Sequence, residues 1–162
     1  MVKGEGLQQR SAESRLRELG IQLPAPPTPL GTYVEAVQTG RLLFLSGMLP
    51  VVDHKPQYVG RLGKELDAET GRDAVYTAAL NALSTAKQHL GTLDRVTRVV
   101  RLGVFLATSR DFFDQPRVAD AASDLFRDIF GGEMTGVRLV IGAASLPLGL
   151  PVELEVILEV AE

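Results

Sequence analysis

The chain of 162 residues has no cysteine, no tryptophan and just two histidines, His54 and His89. The absence of cysteine excludes a disulfide framework, a thiol nucleophile and a thiolate metal site. Two histidines are too few for a zinc centre with three histidine ligands. We therefore expect no metal in this protein.

The chain also lacks a large net charge and long apolar runs. The chain carries 17 basic and 20 acidic side chains, for a net charge of −3, whereas nucleic-acid-binding surfaces usually have a basic balance. No apolar run approaches the roughly 18 residues of a membrane span. The N-terminal stretch is charged and has no apolar signal core. We expect a cytoplasmic protein with neither a nucleic acid nor a membrane as partner.

The N-terminal region has a composition of its own. Residues 11–19 predict a short helix, and the proline-rich residues 23–29 favour an extended connector. We interpret residues 1–29 as an N-terminal helix and connector, and residues 30–162 as the main domain. An alternative is that this helix packs on the main domain.

The rest of the chain predicts a fold of the α+β class. Apolar residues at helical spacing predict a helix from Asp67 to Leu90 and a second one that ends at Gly131. Either Ser109 or Asp114 can cap the second helix. β-branched and alternating apolar residues predict strands over 33–38, 42–46, 96–107, 137–144 and 152–160, with a further short strand near 57–59. Because hairpins and helices segregate, we expect one mixed sheet.

Two charged side chains interrupt apolar strands. Strict alternation would place Glu153 on the solvent face with Glu155 and Glu159; on a covered face, its carboxylate would orient or activate a water molecule. Arg138 begins an apolar strand, where an arginine either forms a surface ion pair or holds a carboxylate with its planar fork.

Two further positions have a structural and a functional interpretation. Tyr33 begins the first predicted strand, where most tyrosines pack with a solvated hydroxyl. Gly47 follows the second predicted strand and either forms a turn or exposes its backbone to a ligand. The residues alone leave both choices open.

The C-terminal part of the chain carries a family resemblance. The stretch 137–155 contains, in order, an arginine, a Leu-Pro pair and a Val-Glu-Leu-Glu segment, and it resembles the signature of the YjgF/Rid family. These proteins are the reactive-intermediate (imine) deaminases, also described as endoribonuclease L-PSP. Residues 31–33 and 45–50 support the resemblance, which covers the chain from residue 30 to its end.

The resemblance implies a chorismate-mutase-like fold, in which a mixed β-sheet packs against two helices. It also implies a homotrimer with a central barrel and with sites in the clefts between subunits. Arg138 matches the family's carboxylate-binding arginine, and Glu153 matches the acid that positions the hydrolytic water. Tyr33 matches a tyrosine near the ligand, Gly47 a backbone contact, and Val140 a position that lines the substrate site.

The implied reaction is the hydrolysis of an enamine or imine, such as 2-aminoacrylate, to a 2-keto acid and ammonia. It requires no metal or organic cofactor, and the partner is a small metabolite with a carboxylate. Val140 stands where active deaminases often carry Cys, Ser or Thr, and Met48 stands where better-known members often carry Gln. These departures, with the N-terminal extension, indicate a divergent branch.

Two other functions remain open from the sequence. The first is a trimeric protein that binds a carboxylate metabolite in the same cleft, either without catalysis or with a different reaction. The second is a ribonuclease or translation inhibitor. The acidic balance and the lack of an aromatic platform for bases count against the second function.

Overall fold

The computed structural model of the protein describes residues 11–162. The helices are α1 (Ala12–Glu18), α2 (Ala68–Leu90) and α3 (Gln115–Phe130). The strands are β1 (Ala36–Thr39), β2 (Leu42–Leu45), β3 (Val51–Val52), β4 (Lys55–Pro56), β5 (Val96–Ala107), β6 (Val137–Ala143) and β7 (Val152–Val160). The centre is a mixed five-stranded sheet with the order β1-β2-β7-β5-β6, in which β5 and β6 run parallel and the other pairs run antiparallel.

Helix α2 has the start, the end and the buried face that its sequence predicts. The Asp67 carboxylate accepts a hydrogen bond of 2.8 Å from the Thr70 N–H, and Gly91 ends the helix with a positive φ of 83°. The buried stripe consists mainly of alanines, including Ala74, Ala78, Ala82 and Ala86. Small side chains on this stripe let α2 pack closely on strand β7.

The two central strands, β5 and β7, have the predicted bounds. In β7 every second residue is buried in the core, and the residues between them lie on the other face of the sheet. Helices α2 and α3 pack on the core face. Helix α3 connects β5 to β6, which explains their parallel pairing, because parallel neighbours need a crossover.

The loop after β2 differs from its predicted form. No strand covers residues 57–59; the nearest strand, β4, ends at Pro56 and forms a short hairpin with β3. Asp53 and His54 form its turn with positive φ values of 50° and 62°. A two-residue strand is too short to leave a periodic signal, so the prediction placed this strand just after its actual position.

Two predicted boundaries also shift. Strand β1 begins at Ala36 and not at Tyr33, because residues 31–33 bend and the Tyr33 N–H bonds to the Gly31 carbonyl at 3.0 Å. Of the two predicted caps, Asp114 is at the start of α3, but its side chain makes no capping hydrogen bond. It lies 3.4 Å from the Arg117 guanidinium instead.

Helix α1 packs on the main body. Ala12 and Leu16 are buried in the common core. Lys87 Nζ of α2 lies 2.8 Å from Glu13 Oε2, and the Leu93 N–H donates to Glu13 Oε1. The domain boundary at residue 30 stays a prediction, and residues 1–10 of the predicted extension lie outside the described residues. Across residues 11–162, no helix has the length and apolarity needed to cross a membrane.

Candidate active site

The site begins with a close approach of Gly47 to Glu153. Glu153 lies on the face of β7 that points away from the helices, opposite Phe105 of β5. After β2 the chain bends, and Met48 exchanges two backbone hydrogen bonds with Leu154. This bridge places Gly47 against the carboxylate: a Cβ atom on Gly47 would overlap Glu153 Oε1 and lie 2.9 Å from its Cδ. A larger residue at this position would displace the carboxyl group.

Tyr33 lines the same cleft, which has a volume of about 320 Å³. Its hydroxyl accepts a hydrogen bond of 2.9 Å from the Leu30 N–H, so its own proton remains available to a ligand. Ser46 also borders the cleft, but its hydroxyl donates to the Val34 carbonyl at 2.6 Å. The cleft thus offers the Tyr33 hydroxyl and the Glu153 carboxyl as polar groups for a ligand.

Two groups of the cleft lack partners within the described part of the chain. The Glu153 carboxyl makes no hydrogen bond or ion pair with residues 11–162, and burial raises its pKa. The Gly47 N–H likewise has no acceptor there. A half-buried carboxyl group without a partner can accept a proton from a bound water and return it, which is the work of a general base and acid.

Arg138 lies in a different part of the molecule. It is on the edge strand β6, and its Nη1 donates to Asp120 Oδ1 at 2.6 Å and to Ser123 Oγ at 3.1 Å, both on α3. Strand β5 separates β6 from β7, and Arg138 and Glu153 pair with β5 residues three positions apart, Leu102 and Phe105. With usual strand dimensions, their Cα atoms are roughly 14 Å apart.

The predicted site residues thus form two groups. Tyr33, Gly47 and Glu153 share one cleft, whereas Arg138 and Val140 lie together on the helix side of β6. The Val140 side chain packs against the core. Arg138 and Glu153 also point to opposite faces of the sheet, so one chain alone does not bring them together.

One acidic residue near the cleft was not predicted from the sequence. Glu35 lines a side pocket that also contacts Tyr33 and Gly47. Burial raises the pKa of its carboxyl group. Residues 33 and 35 lie in bends before β1, so strand alternation gave no signal for this position.

Comparison with known proteins establishes the family. Residues 13–158 match the family described as "YjgF/chorismate_mutase-like, putative endoribonuclease". The chain belongs to this family, as its motifs predicted.

Three relatives illustrate the range of similarity. Protein TCP17 of Trypanosoma cruzi is 41% identical over 147 residues, which cover 90% of this chain and 92% of the relative. A 2-iminobutanoate/2-iminopropanoate deaminase of Dermatophagoides farinae is 28% identical over 137 residues, covering 83% and 91%. A crystal structure from Shewanella oneidensis superposes with a TM-score of 0.88 at 31% identity and covers 93% of this chain and 100% of its own.

These comparisons confirm the fold class. The mixed sheet with helices on one face is the YjgF/chorismate-mutase-like α+β fold that the signature implied. Helix α1, predicted over residues 11–19, accompanies the two helices that the resemblance implied, so that three helices pack with the sheet within residues 11–162.

Proposed function

We propose that the protein hydrolyses reactive 2-imino acids, of the type formed from 2-aminoacrylate, to 2-keto acids and ammonia. The observation that carries this proposal is the convergence of Tyr33, Gly47 and an unpartnered Glu153 in one cleft of the described chain. Membership of the family and the deaminase among its relatives support the choice of reaction.

Glu153 moves the proton in this reaction. Its carboxylate takes a proton from a bound water as the oxygen bonds to C2 of the protonated imine, and the C=N electron pair moves to nitrogen. The protonated Glu153 then returns the proton to nitrogen. As the C–N bond breaks and ammonia leaves, the hydroxyl oxygen forms the C=O bond of the keto acid and gives its proton to Glu153, from which ammonia takes it up as ammonium. The raised pKa makes Glu153 a stronger base than a solvated carboxylate and keeps the returning proton available.

Arg138 holds the substrate carboxylate in this proposal, and it comes from a second subunit. Its Nη1 is already engaged by Asp120 and Ser123, which fix the guanidinium while Nη2 and Nε remain for a carboxylate. The backbone of Val140 is a further contact beside it. Fixed placement of the reactants supplies much of the acceleration that such a site needs.

A homotrimer would bring the two groups together. The sheet face opposite the helices carries exposed apolar side chains near both edges, Val37 and Phe44 on β1 and β2 and Val137, Leu139 and Ile141 on β6, with the Arg101–Glu155 ion pair on the strands between them. Burial of such a face against other copies is favourable. Three sheets facing inward would form a barrel with the helices outside, and the edge strands would then be covered by neighbouring subunits.

Two observations favour a second candidate function. The Val140 side chain contributes no polar group, and Asp120 already neutralises Arg138 at 2.6 Å. The same cleft would then bind a carboxylate metabolite without turning it over.

Release of ammonia from 2-aminoacrylate decides between the two. The substrate is generated enzymatically, and ammonia and keto acid are measured for the wild-type protein, for Arg138→Ala and for the control Arg17→Ala on α1. We expect turnover above background that falls by about 100-fold or more in Arg138→Ala alone. A folded wild-type protein without turnover would exclude the deaminase, and a melting temperature raised by carboxylates would then support the binding protein.

A further inference from the structure

A narrow side pocket opens next to the candidate site. We call it the Glu35 pocket; it shares Tyr33 and Gly47 with the site, and Glu35 and His54 are its ionisable side chains apart from Tyr33. The space inside is about 30 Å³. A water molecule needs roughly 10–15 Å³ measured in this way, so the pocket admits a group about the size of one or two waters.

The proline-rich connector forms one wall of the Glu35 pocket. Pro27 and Thr28 line it, and Thr28 Oγ1 lies 3.4 Å from His54 Nδ1 in the turn between β3 and β4. The connector is tied to the body before this point, where the Ser84 hydroxyl of α2 donates to the Pro24 carbonyl. The wall is thus anchored to the core and belongs to the site.

The Glu35 carboxyl group is the unsatisfied element of the pocket. It is half-buried and makes no hydrogen bond or ion pair with any residue between 11 and 162. Burial raises its pKa, and no neighbouring cation in that range opposes the effect. Among the described residues, no lysine or arginine lines the Glu35 pocket or the adjoining cleft. The cleft instead contains a second acidic side chain, that of Glu153.

The remaining walls restrict what can satisfy this carboxyl group. Pro27, Met48 and Leu148 are apolar and supply neither a charge nor a strong donor. The polar groups of Thr28 and His54 contact each other and make no hydrogen bond with the Glu35 carboxyl. A carboxylate removed from water needs a donor, and a cationic donor gives the strongest hydrogen bond. The small space excludes a guanidinium with its broad plane but admits an ammonium group.

We propose that the Glu35 pocket is a subsite for a short substrate side chain that ends in an ammonium group. The preferred ligands of the site are then 2-imino or 2-amino acids with a second amino group. The imino-acid part of this proposal rests on the proposed function, whereas the preference for an ammonium side chain depends on Glu35 alone.

Binding of stable analogues tests the subsite without any reaction. We would titrate the assembled wild-type protein with 2,4-diaminobutanoate and with 2-aminobutanoate, which differ by the terminal ammonium group. A charge-assisted hydrogen bond predicts about tenfold or greater preference for the diamino acid. Glu35→Gln should abolish the preference, Glu35→Asp should retain part of it, and Glu162→Gln at the exposed C-terminus should leave it unchanged.

Each result is decisive for the subsite. Equal affinity for the two ligands, no binding of either, or a preference that survives in Glu35→Gln would each overturn the proposal. The melting temperature of each variant shows that it is folded; if Glu35→Gln does not fold, Glu35→Asp and the wild-type protein still decide. A preference for the diamino acid without ammonia release would retain the subsite and reject the deaminase. Ammonia release without this preference would retain the deaminase and reject the subsite.

Discussion

Replacement of Gly47 should lower the activity of the protein without preventing it from folding. A methyl group there would overlap Glu153 Oε1, but that atom is at the end of a flexible side chain and can move aside. We therefore expect Gly47→Ala to fold and to lose activity because the carboxyl group is displaced. Deaminase turnover should fall by about 100-fold or more, the range of general acid–base effects.

Gly132→Ala is the matched control for this change. A Cβ at Gly132 meets nothing within 4 Å, and its φ is not in the positive range. Turnover and melting temperature should both match the wild-type protein. Full activity in Gly47→Ala would show that the position of the Glu153 carboxyl does not govern the reaction.

At the scale of elements, α1 is a part of the core. Leu16 is 5% exposed and contacts the common hydrophobic cluster, whereas Leu19 at the helix end is 41% exposed. Leu16→Ala should lower the free energy of unfolding by about 2 kcal/mol or more, because it removes buried methyl groups and leaves a cavity. Urea denaturation at a fixed protein concentration measures the change.

Leu19→Ala serves as the reference for that measurement. Its side chain is largely in solvent, so the free energy of unfolding should stay within about 0.5 kcal/mol of the wild-type value. If Leu16→Ala had an equally small effect, α1 would not be docked on the core in solution.

The long elements were predictable from the sequence, and the short ones were not. Helix α2 has many apolar residues at helical spacing and a clear cap at each end. Strands β5 and β7 have long runs of apolar or alternating residues, so the bounds of all three elements follow from the local sequence. The β3–β4 hairpin depends on two residues with positive φ, Asp53 and His54, which neither propensity nor alternation indicates. Its position matters because His54 borders the Glu35 pocket.

The candidate site was predictable in part, for a similar reason. Alternation correctly places Glu153 on the face of the sheet opposite the core. It does not reveal that the bend at Gly47 crosses over this carboxyl group and half-buries it, because that contact arises between β7 and the segment after β2. Glu35 was missed because its burial comes from tertiary contacts as well.

At the scale of the whole molecule, the distance between Arg138 and Glu153 determines whether one chain can provide both residues to one site. The two side chains lie on opposite faces of the sheet with β5 between their strands. The family signature groups them along the sequence, but this grouping does not specify whether one chain or two provide them. The homotrimer proposed above takes them from two chains.

Subunit mixing tests this arrangement directly. If each site takes Arg138 from one chain and Glu153 from the next, co-expressed Arg138→Ala and Glu153→Gln chains leave both residues intact in about one quarter of the sites of randomly mixed trimers. We expect ammonia release near that fraction of the wild-type rate, although each variant alone is inactive. Mixing Tyr33→Phe with Glu153→Gln restores nothing, because one cleft of one chain provides both residues. No recovery in the first mixture would place the working arginine in the same chain as Glu153 and would reject the inter-subunit site.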